Sequence, residues 1–558
     1  MTWISVLVAL LAVLLGEGFA QGPMLDIPGL GTVMGDTDLS YVNEREYYRF
    51  RGIPYATPPV GPNYRFKAPD PVVPWEGIFN ATKIGNSCPQ VAINFGLKEE
   101  LAASPRPSDT EDCLYLSVYT PTMDPTANLP VVVYYHGGGF IIGSGTIYEG
   151  EKFLDYDVIL VLPHYRLGPF GFLSLDTDDI PGNAGMLDQV EALKWVKNHI
   201  RAFGGNPNHI TIMGESAGAA SVSLHNVSPL STGMFQQIIA QSGGGTAAWS
   251  IDPDHIYAAT ELGKLINCTA LDIPTLTSSG THVLKNELAA GRSPFAGTSP
   301  IVQTAGAKRF LVEDPRVTLE KGDYVYHPGI FGTVKHEGTF VYSLLYNSFF
   351  VKNNLTEDEN FLSREATNTL LQFFKIQDQG QSIAAIAEKA HFGQANMGNL
   401  TAMTPGMVDF LSNMFLKGSS YLDAIYNANR ATTYLYAFHY FGDRSLWNFM
   451  GDTDVIIGGV NHGQELLLLF EIPLLILSAR DRAMSKTMLD LWVNFIIYGD
   501  PTIASNPVPG VASWPVFDGT VRDGQYLRIN DNCSIANGYT RNEYFVAGDE
   551  GFPYLTDH

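Results

Sequence analysis

Short apolar runs rich in β-branched residues alternate along this chain with segments of helical pattern, and that alternation constrains the fold more than any other feature. Residues 130–135, 158–162, 209–213 and 237–240 are such runs, each bounded by turn residues, as expected of strands buried on both faces. Between them, residues 188–200 place Val190, Leu193, Val196 and Ile200 at three- and four-residue steps, the spacing of one helix face. Strand and helix in alternation predict an α/β fold with a mostly parallel central sheet flanked by helices. Later strands are expected at 329–333 and 433–438, with a helix-rich stretch between them forming long cap insertions, and a late helix from Ala479 to about Tyr498.

One of these strands runs into Gly214, Glu215, Ser216, Ala217 and Gly218, followed by a small-residue helix start. A strand, a Gly-x-Ser-x-Gly turn and a helix make a nucleophile elbow, in which a tight turn lifts the serine oxygen above the sheet. The five residues alone are weak evidence in a glycine-rich chain, and their context carries the reading. Directly after the run 130–135 come His136, Gly137, Gly138, Gly139 and Phe140. Glycines there let backbone N–H groups reach a developing oxyanion, with the amide of Ala217 completing the hole. A phosphate cradle is the competing reading, but no Gly-Lys-Ser/Thr follows and the chain is acidic.

A serine hydroxyl needs a histidine to accept its proton and a carboxylate to orient that histidine, in the chain order Ser, acid, His for this kind of elbow. Among 13 histidines, His462 lies late in the chain in a Gly-flanked loop, whereas His439 falls in an aromatic strand and His391 and His558 lack such context. Glu337 ends a predicted strand beside Gly338, where catalytic side chains of open sheets gather. Ser216, Glu337 and His462 are therefore the expected triad, and Gly138, Gly139 and Ala217 the expected oxyanion donors. This chemistry requires no metal and no cofactor.

The formal net charge of −23 opposes nucleic acid and anionic lipid as partners. Residues 1–20 read as a signal peptide, with an apolar core ending in small residues, although no Lys or Arg precedes it. No other apolar segment reaches spanning length; 466–477 is interrupted by Glu471 and Pro473 and is assigned to the core. A secreted protein without a stable membrane anchor is expected, with residues 21–558 as a single catalytic domain. Secretion permits disulfides: Cys88 and Cys113 bracket a short loop and are the best pair, while spacing leaves Cys268 and Cys533 to pair, stay free or link chains. Glycosylation sequons stand at Asn80, Asn226, Asn267, Asn354, Asn399 and Asn532.

With these residues in view, the chain resembles the type-B carboxylesterase and cholinesterase family over nearly everything after residue 20. The matching stretches are 50–61, 111–119, the His136 glycine run, 165–168, 204–207 and 214–218. The resemblance implies the α/β-hydrolase fold, the same triad and oxyanion donors, and a Cys88–Cys113 bridge. Cholinesterase-like members hold choline on a tryptophan inside the first disulfide loop, and residues 89–112 contain none, which argues against a choline ester. Juvenile-hormone-esterase-like members tend to have Gln where this chain has Glu215. His164 and Ser117 stand where the family commonly has asparagine, and no partner for Cys268 follows within the short loop typical of the family. The expected function is hydrolysis of a neutral or hydrophobic small-molecule ester through an acyl-enzyme. Alternatives are a neuroligin-like adhesion protein on the same fold, or a hormone- or pheromone-type ester hydrolase, lipase or thioesterase.

Overall fold

The computed structural model describes residues 22–90, 110–265, 297–445 and 456–549, apart from scattered positions within 375–381, 458, 473–474 and 522–523, together with a few residues of 275–286 and the strand Tyr554–Leu555. The expected leader, Asn267 and Cys268 lie outside the described residues.

Eleven strands form the central sheet: β1 (Asp36–Leu39), β2 (Glu46–Pro54), β3 (Tyr115–Thr120), β4 (Leu129–Tyr135), β5 (Ile159–Pro163), β6 (Gly205–Glu215), β7 (Gln237–Gln241), β8 (Gly329–Val334), β9 (Thr433–Phe438), β10 (Gln525–Ile529) and β11 (Ser534–Asn537). Their spatial order is β11-β10-β9-β8-β7-β6-β4-β5-β3-β2-β1. From β10 to β5 all neighbours are parallel, and antiparallel pairs close both edges. The sheet is the mostly parallel one expected.

The apolar runs are continuous because both faces are covered. Val131, Val133 and Tyr135 of β4 pack on one side with Leu193 and Val196 of helix α1 (Ala184–His199). Val132 and Tyr134 pack on the other with Leu491 and Trp492 of a late helix. Successive side chains of a strand point to opposite faces, so neither set can be polar. Helix α2 (Ala217–Val227) follows the elbow and is buried along its whole length.

A cap built around α3 (Gly338–Leu345), α4 (Leu400–Ser412) and α5 (Gly418–Ala428) separates β8 from β9 and has its own apolar core, including Tyr342, Met407 and Leu411. The late helix α6 spans Ala479–Tyr498, begins at a Ser478/Asp481 capping box and ends at Gly499 in the left-handed conformation. Leu466–Leu469, Phe470, Ile472, Leu475 and Leu477 are buried in the core as expected, whereas Ile476 is exposed. No described helix is long and apolar enough to cross a membrane.

Cys88 and Cys113 form a disulfide, and among the described residues Cys533 has no disulfide partner; burial raises its pKa. The sequon at Asn226 requires correction: this side chain is buried within α2 and accepts from His327 at 2.8 Å, leaving no room for a glycan in the folded chain. A sequon is a three-residue pattern, and such a pattern carries no burial information. Asn80, Asn354, Asn399 and Asn532 are exposed.

Candidate active site

Four segments converge at the carboxyl ends of the parallel strands, the edge where open α/β sheets place their sites. The first is the elbow. β6 ends at Glu215, Ser216 takes φ 57° and ψ −121°, and α2 begins at Ala217. A positive φ is costly for serine, and the surrounding structure enforces it: the Ser216 amide donates to Gln241 O on β7 at 2.9 Å. The turn is too tight for larger neighbours. A Cβ on Gly218 would meet Tyr135 O at 2.0 Å. Ser216 itself is 8% exposed.

The second segment leaves β4 at His136. Burial keeps the His136 imidazole neutral; its ring stacks on Tyr165 with centroids 4.4 Å apart, and Tyr165 Oη donates to His136 O at 2.8 Å. Gly138, Gly139 and Phe140 follow with positive φ. The amides of Ile141 and Ile142 both donate to Gly138 O, at 3.0 and 3.1 Å, so the run coils tightly on itself. Gly137 lies against the elbow: a Cβ there would sit 3.0 Å from Ser216 Cβ. The coil and the serine are therefore neighbours.

The third and fourth segments are the turn after β8, carrying Glu337, and the loop 459–465, carrying His462. They are joined through His336, which forms a parallel bridge with Asn461. The His336 amide donates to Val460 O and its Nδ1 accepts from the Val460 amide, both at 2.9 Å. Burial holds this imidazole neutral, well below its usual pKa, as an acceptor must be.

Glu337 is fully buried at the start of α3. Its Oε1 accepts from the Val334 amide at 2.9 Å and its Oε2 from His462 Nδ1 at 2.7 Å. The His462 ring lies against Phe340, and its other nitrogen, Nε2, is 3.1 Å from Glu215 Oε1. Burial alone would depress the His462 pKa, but the carboxylates of Glu215 and Glu337 outweigh it and raise it.

Two further carboxyls complete the electrostatics. Burial raises Glu215, and burial with the nearby Glu215 and Glu337 charges pushes Glu465 up to about 8. Glu465 accepts from Gln241 Nε2 and Ser242 Oγ, each at 3.4 Å. One imidazole thus stands among three acidic side chains, a concentration of charge that isolated core histidines do not show.

Sequence reasoning singled out Ser216, Glu337 and His462: the structure bonds His462 to Glu337, and Ser216 directly follows Glu215, the other carboxylate against His462, with Gly138 and Gly139 on the neighbouring coil and Ala217 at the helix start. It missed the contact of Glu215 with His462, the role of His336 as a bridge, and Glu465. The signal for Glu465 was its position three residues after His462 in the same loop. His439, placed by the sequence in an aromatic strand, hydrogen-bonds Glu543 Oε2 through Nε2 at 2.6 Å, and burial lowers its pKa. Among the described residues no group of three or more His, Cys, Asp or Glu side chains is arranged to hold a metal ion.

The family model described as "Carboxylesterase family" matches residues 21–546. The chain is 34% identical to a juvenile hormone esterase of Tribolium castaneum, over 84% of this chain and 83% of that protein. It is 30% identical to venom carboxylesterase-6 of Apis mellifera, over 96% and 97% of the two chains. Among solved structures, a juvenile hormone esterase from Manduca sexta with OTFP covalently attached matches with a TM-score of 0.76 and 26% identity, covering 92% of this chain and 96% of that one.

Proposed function

This chain belongs to the carboxylesterase family and is a carboxylic-ester hydrolase, and from that premise we propose that it cleaves neutral or hydrophobic esters through Ser216, His462 and Glu337. Ser216 Oγ attacks the acyl carbon while His462 takes the hydroxyl proton at Nε2 and returns it to the leaving alcohol. Glu337 holds Nδ1–H, fixing the tautomer and stabilising the imidazolium. The amides of Gly138, Gly139 and Ala217 receive the oxyanion, each such donor being worth roughly 3–4 kcal/mol to the transition state. Water, activated by the same imidazole, then releases the acid from the acyl-enzyme.

The observation that carries this reading is the 2.7 Å bond from His462 Nδ1 to a fully buried Glu337, beside a serine held at positive φ. Such strain at an elbow persists where the side chain is used. The juvenile hormone esterase relatives make a hormone-type ester one candidate, against which stands Glu215 in place of the Gln such members tend to have, and the lack of tryptophan in residues 89–112 argues against a choline ester. The apolar leader and the Cys88–Cys113 disulfide support export as a soluble enzyme with residues 21–558 as one catalytic domain. The test is Ser216→Ala on a short-chain aryl ester: turnover should vanish and an organophosphonate should no longer label the protein. Undiminished turnover in the variant removes the assignment.

A further inference from the structure

The oxyanion coil after β4 is fastened from outside by one amide side chain. Gln90 is buried, two residues beyond Cys88, and grips Gly143 twice. Its Oε1 accepts from the Gly143 amide at 3.0 Å and its Nε2 donates to Gly143 O at 3.1 Å. Nε2 donates also to Cys88 O at 3.1 Å. A planar amide that presents an acceptor and a donor to the N–H and C=O of one residue reproduces a β-bridge, fixing both position and orientation. A carboxylate has no donor, and a hydroxyl carries donor and acceptor on a single atom.

Gly143 is the closing point of the coil. It has φ 122°, and a Cβ there would meet His136 Nδ1 at 2.3 Å and Gly137 O at 2.5 Å. A Cβ on Gly138 would meet Ile142 O at 2.1 Å. The two ends of the segment that carries the Gly138 and Gly139 amides are therefore pressed together at Gly143, and whatever fixes Gly143 fixes both.

A second fastening runs alongside. His164 Nδ1 donates to Asn86 O (2.9 Å) and its Nε2 lies 3.3 Å from Ser144 Oγ, while Ser87 Oγ donates to Ser144 Oγ at 3.2 Å. Burial drives the His164 pKa down to about 4, so this joint stays uncharged through the neutral range. The segment 86–90 is itself tied by the disulfide to Cys113, just before β3.

Resting on the oxyanion reading given above, we infer that Gln90 is a positioning residue, which holds the Gly138 and Gly139 amides at the oxyanion through its double bond to Gly143. Oxyanion donors act by being aimed before charge develops, and small displacements of such groups cost rate rather than binding.

The experiment uses the full chain carrying Gln90→Met, which keeps volume and loses both bonds. Three quantities are read: kcat/KM for an aryl ester, affinity for a trifluoromethyl ketone that adds to the serine and creates an oxyanion, and affinity for the matching methyl ketone, which binds without adding. The expected result is a loss of about tenfold in the first two together, with the methyl ketone within twofold. Rates within twofold of wild type, or an equal loss for both ketones, overturn the inference. Gln90→Glu, which keeps the acceptor and opposes Gly143 O, should lose in the same direction and serves if the first variant does not fold; misfolding of both assigns Gln90 to folding alone and overturns it. Ser216→Ala run in parallel separates the cases, because an active alanine variant removes the oxyanion reading itself, whereas an inactive one with normal Gln90→Met removes only this inference.

Discussion

The placement of Glu215 against His462 Nε2 predicts a specific change in pH dependence when Glu215 is replaced by Gln. Two unit charges at the observed 3.1 Å interact by about 5 kcal/mol at an effective dielectric constant of about 20. Glu215 is itself raised by burial and carries only part of its charge near neutral pH, so roughly 2 kcal/mol of that reaches His462. At 1.36 kcal/mol per unit this is ~1.5 pH units. The sign follows from the base role: a carboxylate beside imidazole favours the protonated form, which cannot accept the serine proton. Removing the charge lowers the His462 pKa, so the acidic limb of kcat/KM should move down by one to two units, about the figure just derived. With His462 raised to about 9, initial rates on an aryl ester from about pH 6 to about pH 10.5 bracket the limb. Glu465→Gln should move it the same way but less, because Glu465 contributes least among the carboxyls raising His462. A limb that stays put or moves upward in Glu215→Gln would refute the electrostatic account while leaving the triad standing.

Two other outcomes concern the frame. Gly218→Ala drives a methyl to within 2.0 Å of Tyr135 O on β4, so it should lower stability by about 2 kcal/mol or more, read as a drop in Tm together with loss of activity; an unchanged Tm would mean that the elbow has slack. Burial would raise Glu543, but the hydrogen bond from His439 and the charges of His439 and Lys417 hold it down to about 2. Its stabilisation of about 3 kcal/mol is fully present above pH 4.5 and is lost as the pH falls towards 2. Unfolding curves across that window should be shallower for Glu543→Gln than for wild type, and identical slopes would contradict the ion pair's role.

The sheet centre was legible because β4 to β9 are buried on both faces, which writes a continuous apolar run into the sequence. The edge strands β1, β2 and β11 carry no such run. β1 is held partly by Arg49 bound to Asp36 and β11 by antiparallel pairing with β10, contacts that leave no periodic trace. The same division holds at the site. The proposed Ser216, Glu337 and His462 could be singled out because the elbow and strand ends impose local residue types. Glu215 was visible only as a departure from related sequences, since its partner lies in a distant loop. His164 likewise was an unexplained substitution until its two ring nitrogens were seen joining Asn86 to Ser144. Gln90 has no local signature at all, because its meaning resides in Gly143, which sequence does not place beside it.

The bond between His462 and Glu337 closes a separation of 125 residues, and the serine stands on a strand earlier still. Loops of that span close late, after the local contacts of strands and helices have formed. A chain emerging from its amino end therefore presents the proposed nucleophile turn long before the proposed base. Recovery of esterase activity on refolding is thus a clock for the final long-range docking, and should trail the return of helical signal rather than accompany it.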